Sequence, residues 1–171
     1  ISFCSKAIMK IAVVGAGYVG LVTGACFAEL GNDVVCVDVD EDKISRLNKN
    51  IIPIFEPGLK ELLIKNRKKG KINFTTDLKK TIKESEIIFI CVGTPPKENG
   101  EADLSYVENV ARTIADVMDY YKIIVEKSTV PVETGEKVAK SIKSYNAHNV
   151  DFDVVSNPEF LREGSAVNDF M

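Results

Sequence analysis

Two glutamates, Glu159 and Glu163, stand four positions apart in Asn157-Pro158-Glu159-Phe160-Leu161-Arg162-Glu163-Gly164, just after a short apolar run, Phe152 to Val155. Near the other end of the chain, Gly15-Ala16-Gly17-Tyr18-Val19-Gly20 has the spacing G-x-G-x-x-G. Paired carboxylates can divide acid and base work when their surroundings tune their pKa values apart. A glycine-rich turn between strand and helix can bring a dinucleotide pyrophosphate against the backbone and the helix N-terminus. The two segments suggest proton transfer beside a redox cofactor.

The glycine segment has the context that gives such a pattern weight. It follows the apolar run Lys10 to Val14, opens a helical pattern at Tyr18, and is followed by an acid at the end of the next apolar run. Gly15 permits the tight turn, Gly17 lets pyrophosphate approach, and Gly20 lets the helix pack close to the strand; Tyr18 and Val19 fall in the same cofactor-facing turn. The acid is Asp38, 18 residues after Gly20. Its carboxylate can accept hydrogen bonds from the adenosine ribose and would repel a 2′-phosphate, which favours NAD over NADP. Asp40, just before Glu41-Asp42-Lys43, reads as a helix N-cap.

These residues need a frame. Strands are expected at Lys10 to Val14, Asp33 to Asp38, Lys71 to Phe74, Glu86 to Val92, Lys122 to Glu126 and Phe152 to Val155, with helices starting near Tyr18, Asp40, Pro57, Asp77, Leu104 and Val132. Nearly continuous apolar strands alternating with helices predict an α/β fold: a Rossmann-type, doubly wound, mostly parallel six-stranded sheet with helices on both faces. Ligands of such sheets bind beyond the carboxyl ends of the strands. That rule selects the loops Gly15 to Gly20, Gly93 to Pro96, Ser128 to Pro131 and Ser156 to Gly164. Thr94 and Thr129 lie on two of them, where a hydroxyl also serves turns and caps. Pro131 suits the first position of the following helix, and Glu133 its first turn.

A chain of 171 residues can bury a proper core in one domain. Its net charge of −3 argues against a nucleic-acid surface, and no run of 18 apolar residues is present to span a membrane. The basic run Lys65 to Lys71 reads as the solvated end of a helix stopped by Gly70. The four cysteines have no metal or disulfide spacing. Cys26, Cys36 and Cys91 sit in apolar runs and Cys4 in the leader, so reduced thiols and a cytoplasmic location are expected, with no metal site. Residues 1–8 read as a leader or scar ahead of Met9-Lys10. His148, in a loop with Asn146 and Asn149, receives no role.

From Met9 to Met171 the sequence resembles the NAD-binding domain of the UDP-glucose 6-dehydrogenases, within the nucleotide-sugar dehydrogenase family. The resemblance is carried by Gly15-Ala16-Gly17-Tyr18-Val19-Gly20, Phe27-Ala28-Glu29-Leu30-Gly31, Val37-Asp38-Val39-Asp40 and Pro53-Ile54-Phe55-Glu56-Pro57-Gly58-Leu59. It continues through Val92-Gly93-Thr94-Pro95, Ala102 to Val107, Lys127-Ser128-Thr129-Val130-Pro131-Val132 and Ser156 to Val167. No single motif decides it; eight in family order do.

The resemblance implies a two-step oxidation of UDP-glucose to UDP-glucuronate. The sugar C6 alcohol gives hydride to one NAD, a cysteine traps the aldehyde, a second NAD takes another hydride, and water hydrolyses the thioester. It implies adenosine-ribose contacts from Asp38 and Lys43, and further cofactor contacts from Thr94, Thr129 and Glu163. Phe160 and Leu161 would meet the nucleotide sugar through their main chain, with Glu159 and Glu163 lining its site. Glu159 would be the acid/base carboxylate, with the Thr129 hydroxyl helping it hold a water. Read from the residues alone, Glu159 could equally be a cap or surface acid and Glu163 a surface partner.

Two departures stand out. Glu133 replaces a glycine usual in the family beside Thr129. No cysteine here matches the family's nucleophile, which, with a lysine and an asparagine near the sugar, a central helix and a C-terminal domain, is expected beyond Met171. The chain is therefore expected to bind NAD without completing the reaction, and the full-length protein to form a homodimer. Two alternatives stay open: another nucleotide sugar such as GDP-mannose as substrate, and a non-catalytic NAD-binding module.

Overall fold

The computed structural model describes residues 7–128 and 134–171. Six strands form one sheet: β1 (Lys10–Val14), β2 (Asp33–Val37), β3 (Ile72–Thr75), β4 (Ile87–Ile90), β5 (Lys122–Glu126) and β6 (Phe152–Ser156). Their order is β3-β2-β1-β4-β5-β6 and every pairing is parallel, the arrangement of two mononucleotide-binding halves meeting between β1 and β4. Among the described residues, seven helices join or follow them: α1 (Tyr18–Glu29), α2 (Glu41–Asn48), α3 (Leu59–Lys68), α4 (Leu78–Glu84), α5 (Ser105–Val117), α6 (Thr134–Tyr145) and α7 (Ala166–Phe170).

The strand sequences explain the layering. Successive side chains of a strand point to opposite faces, so a strand covered on both sides runs nearly continuously apolar. In β1, Ile11 and Val13 join one core with Leu21, Val22 and Ala25 of α1 and Leu59 and Leu63 of α3. Ala12 and Val14 join the other, with Val107, Ala111 and Ile114 of α5 and Val138 and Ile142 of α6. Helix α1 is buried along most of its length, as expected of the helix that fills the middle of one face.

The expected elements are present, with shifted ends. The strand expected from Glu86 to Val92 shortens to Ile87–Ile90, and the helix expected near Pro57 begins at Leu59, because Gly58 turns the chain at φ +79°. Asp40 caps α2 by accepting the Lys43 N–H at 2.9 Å. The basic run closes α3, with Gly70 at φ +69°, Lys65 paired to Glu29 and Lys71 to Asp33. The strand Phe152–Ser156 is an edge strand and mostly exposed, unlike the buried central ones. Helix α7 was not anticipated. Cys4, Thr129, Pro131, Val132 and Glu133 lie outside the described residues.

Candidate functional site

The loops after β1, β4 and β6, with Lys127 and Ser128 at the end of β5, gather at the carboxyl end of the sheet. The fingerprint turn is shaped by contact. Gly15 has φ +104°, and a Cβ there would stand 2.5 Å from the Cys91 carbonyl oxygen. A Cβ on Gly20 would lie 1.8 Å from the Gly15 carbonyl oxygen, so strand, turn and helix can close up only with glycine at both positions. Gly17, by contrast, faces open space. It is the N-cap of α1, whose first turn contains no acid. The first amide groups of a helix lack intrahelical partners, and here they adjoin an open approach suited to an anion.

Asp38 is tied to this turn. Its Oδ2 accepts the Ala16 N–H at 2.8 Å and the Lys43 ammonium at 2.9 Å, while Oδ1 accepts the Asp40 N–H at 3.1 Å. Burial alone would raise its pKa, but Lys43 and the two amides outweigh that and hold it below the ordinary carboxylate value. Asp38 and Lys43 line a cavity of about 570 Å³ with Gly15, Gly17, Val39 and Tyr106. A second cavity of about 250 Å³ adjoins it across Gly17 and Gly93, lined by Tyr18, Val19, Thr94, Lys127 and Ser128. The two form a crevice running over the turn from β2 toward β5. Its open glycine, its acid-free helix start and its partly buried carboxylate fit a dinucleotide.

The segment with the paired glutamates follows β6 on the same end of the sheet. Its first residue, Asn157, donates its N–H to the Glu126 carbonyl at 2.9 Å and accepts from the Lys127 ammonium at 3.0 Å. Lys127 is itself buried, so this amine joins the second cavity to the loop. Glu126, also buried, accepts the Ser128 N–H at 2.9 Å; burial pushes its carboxyl pKa up, and Ser128 offsets part of that rise. Glu159 is half-buried and accepts the Leu161 N–H. Glu163 is exposed, the Phe160 ring faces solvent, and Leu161 packs against the α1 side of the core. Arg162 makes a two-point pair with Asp169 of α7, at 2.8 and 3.0 Å.

Gly15, Gly17, Tyr18, Val19, Asp38, Lys43 and Thr94 thus line one crevice, with Gly20 packed beneath its turn, and Glu159, Phe160, Leu161 and Glu163 share the loop joined to it through Lys127. Thr129 falls outside the described residues. Four charged residues are buried among the described residues, Glu56, Lys122, Glu126 and Lys127, and the sequence reading gave none of them a role; Lys127 and Glu56 bear most directly on the loop. Glu56 sits in the Pro53–Leu59 motif but has no local pattern that reveals a role. The only sequence cue for Lys127 is a cation immediately after an apolar strand. Cys26, Cys36 and Cys91 are buried, and burial raises all three thiols, Cys26 to about 11 and Cys91 to about 12. Such thiols are poor nucleophiles.

Residues 9–171 match the NAD-binding domain of the UDP-glucose/GDP-mannose dehydrogenase family. The chain belongs to that family, and NAD is the cofactor of this domain. The UDP-glucose 6-dehydrogenase TuaD of Bacillus subtilis is 55% identical over 162 residues, 95% of this chain and 35% of the relative. Among solved structures, a UDP-glucose dehydrogenase from the archaeon Pyrobaculum islandicum aligns with a TM-score of 0.93 at 39% identity, covering 99% of this chain and 40% of that one. GDP-mannose dehydrogenase from Pseudomonas aeruginosa aligns with a TM-score of 0.89 at 42% identity, covering 95% and 38%. The chain therefore spans well under half the length of these relatives.

Proposed function

We propose that this domain is the NAD-binding half of a UDP-glucose 6-dehydrogenase, which oxidises UDP-glucose in two steps to UDP-glucuronate. The observation that carries the reading is the Lys127–Asn157 contact, which joins the inner cavity of the dinucleotide crevice to the loop bearing Glu159 and Glu163. When bound, NAD supplies the hydride acceptor. The chain's own residues do the rest of the work assigned to this half. Asp38, held ionised beside Lys43, binds the adenosine ribose and excludes a 2′-phosphate. Gly17 and the first turn of α1, including Tyr18 and Val19, receive the pyrophosphate. Thr94 and Glu163 meet the cofactor near its reacting end. The main chain of Phe160 and Leu161 orients the nucleotide sugar, and Glu159, with Thr129, holds the hydrolytic water and moves its proton.

Calorimetric titration of the chain with NAD and then NADP tests the cofactor half of the proposal. Saturable NAD binding with much weaker NADP binding is expected, and no binding to NAD would overturn it. A protein containing this domain and the family's C-terminal half should reduce NAD with UDP-glucose. The 42% identity to a GDP-mannose dehydrogenase favours a second reading, oxidation of GDP-mannose. Comparing turnover of the two nucleotide sugars by that longer protein separates the readings.

A further inference from the structure

We propose that Glu56 is a positioning residue that seats the carboxylate loop, Asn157 to Gly164, against the first turn of the fingerprint helix α1. How the loop is held follows from the contacts; what its correct placement serves rests on the functional reading above.

Glu56 lies in the connection between α2 and α3, far in sequence from everything it holds, and is 5% exposed. Its Oε2 accepts the Tyr18 hydroxyl at 2.7 Å and the Gly164 N–H at 2.8 Å, and its Oε1 accepts the Ala166 N–H at 2.9 Å. Every one of these partners is a donor. An ionised carboxylate, which only accepts, satisfies them all, whereas an amide would turn an NH₂ toward at least one. Burial by itself would raise the Glu56 pKa, but the Tyr18 hydroxyl and the amides of Gly164, Ala166 and Val167 bring it below the ordinary value. Burial, together with the same contact, pushes the Tyr18 phenol up, so it remains the donor.

The three partners belong to three different parts of the site. Tyr18 is the first residue of α1, next to Gly17, and lines the inner cavity. The Gly164 N–H belongs to the peptide unit that leaves Glu163, so fixing that amide fixes the backbone from which the Glu163 side chain projects. Ala166 begins α7. At the other end of the loop, Asn157 is held by the Glu126 carbonyl and by Lys127. The loop is therefore tied at both ends to buried charged residues of opposite sign. Glu56 is the one that also grips the cofactor turn.

Backbone amide exchange of this chain, followed residue by residue by NMR, tests the assignment in wild type and Glu56→Gln. The expected result is that Gly164 exchanges roughly tenfold or more faster in the variant, the loss typical of a bond to a charged acceptor, while β1 and β4 amides keep their rates. NAD should slow Gly164 exchange in wild type and not in Glu56→Gln, a readout that a purely stabilising role would not move selectively. Wild-type rates at Gly164 in the folded variant, or the same NAD effect in both proteins, would overturn the proposal. If the variant loses its fold, scalar coupling across the hydrogen bond between the Gly164 nitrogen and the Glu56 carboxyl carbon in wild type decides, and its absence overturns the proposal. Failure of wild type to bind NAD would instead strike the functional reading, since the exchange comparison without NAD stands by itself.

Discussion

Asp38→Asn is the sharpest perturbation of the cofactor site. The wild-type carboxylate serves three donors with two oxygens: Ala16 N–H and Lys43 on Oδ2, and Asp40 N–H on Oδ1. An asparagine has one acceptor oxygen. Its less costly orientation keeps that oxygen toward Ala16 and Lys43 and turns the NH₂ toward the Asp40 amide, leaving that N–H unpaired at the start of α2. The Lys43 bond survives but loses its charged acceptor. One lost backbone bond and one weakened charged bond sum to about 1–2 kcal/mol of stability, or about 2–8 °C in Tm for a chain of this size. The larger effect falls on ligand choice. Replacing a charged acceptor of the ribose hydroxyls by a neutral one should weaken NAD by about tenfold, while NADP gains from removal of the like charge. Calorimetric titration of both proteins with both cofactors reads the ratio. A preference for NAD over NADP unchanged in Asp38→Asn would refute the assignment of Asp38 as the selecting group, even if Tm fell as expected.

Gly20→Ala places a Cβ within 1.8 Å of the Gly15 carbonyl oxygen, so the fingerprint turn must open; a stability loss of about 3 kcal/mol or more and loss of NAD binding are expected by chemical denaturation and calorimetry. Lys122 is fully buried at the start of β5, donating to the Ser85 carbonyl at 2.7 Å, and burial lowers its pKa to about 8. The folded state then holds this proton less than the unfolded one between that value and the ordinary lysine pKa near 10.4, so Lys122 contributes stability that climbs across this window, against the fall contributed by the three buried thiols; the difference in unfolding free energy between wild type and Lys122→Met should rise across it, and a flat difference would refute this. Asp169, paired with Arg162, has its pKa lowered to about 2. Its contribution is present above the ordinary aspartate value and fades as pH falls toward about 2. Both side chains of the pair reach solvent, so the effect on stability should be small. An NMR titration of the Asp169 carboxyl checks the pKa, and Arg162→Gln should return it toward the ordinary value.

The fold was legible because its determinants are local. Each central strand, such as Lys10–Val14 or Lys122–Glu126, is a short apolar run with turn residues beside it, and burial on both faces accounts for the missing alternation. Strand ends were less legible. Val92 is apolar but lies beyond the last paired residue of β4, where hydrogen bonding rather than side-chain type sets the boundary. Helix α7 is five residues long and is fixed by Arg162, Ser165 and Glu56, too short for its own periodicity to show. The crevice could be read from the fingerprint and Asp38, whose spacing is part of the motif. Glu56 could not: its partners lie 38, 108 and 110 residues away, and only the completed sheet brings them together. Lys127 is hidden for the same reason, since Asn157 meets it only after β6 has paired with β5.

The sheet ends at β6, which pairs on one side with β5 and carries its other backbone groups at the rim. A parallel rim of this kind is a template on which a second extended chain can add, and Val155, 44% exposed, offers such a chain an apolar handhold. Two aspartates guard that border: Asp151 just before the strand and Asp153 within it, the latter held by the Tyr121 hydroxyl at 2.6 Å. Their like charges on neighbouring copies oppose rim-to-rim growth. Charge on this border, at the opposite margin of the sheet from β3, therefore works against the addition of a second edge.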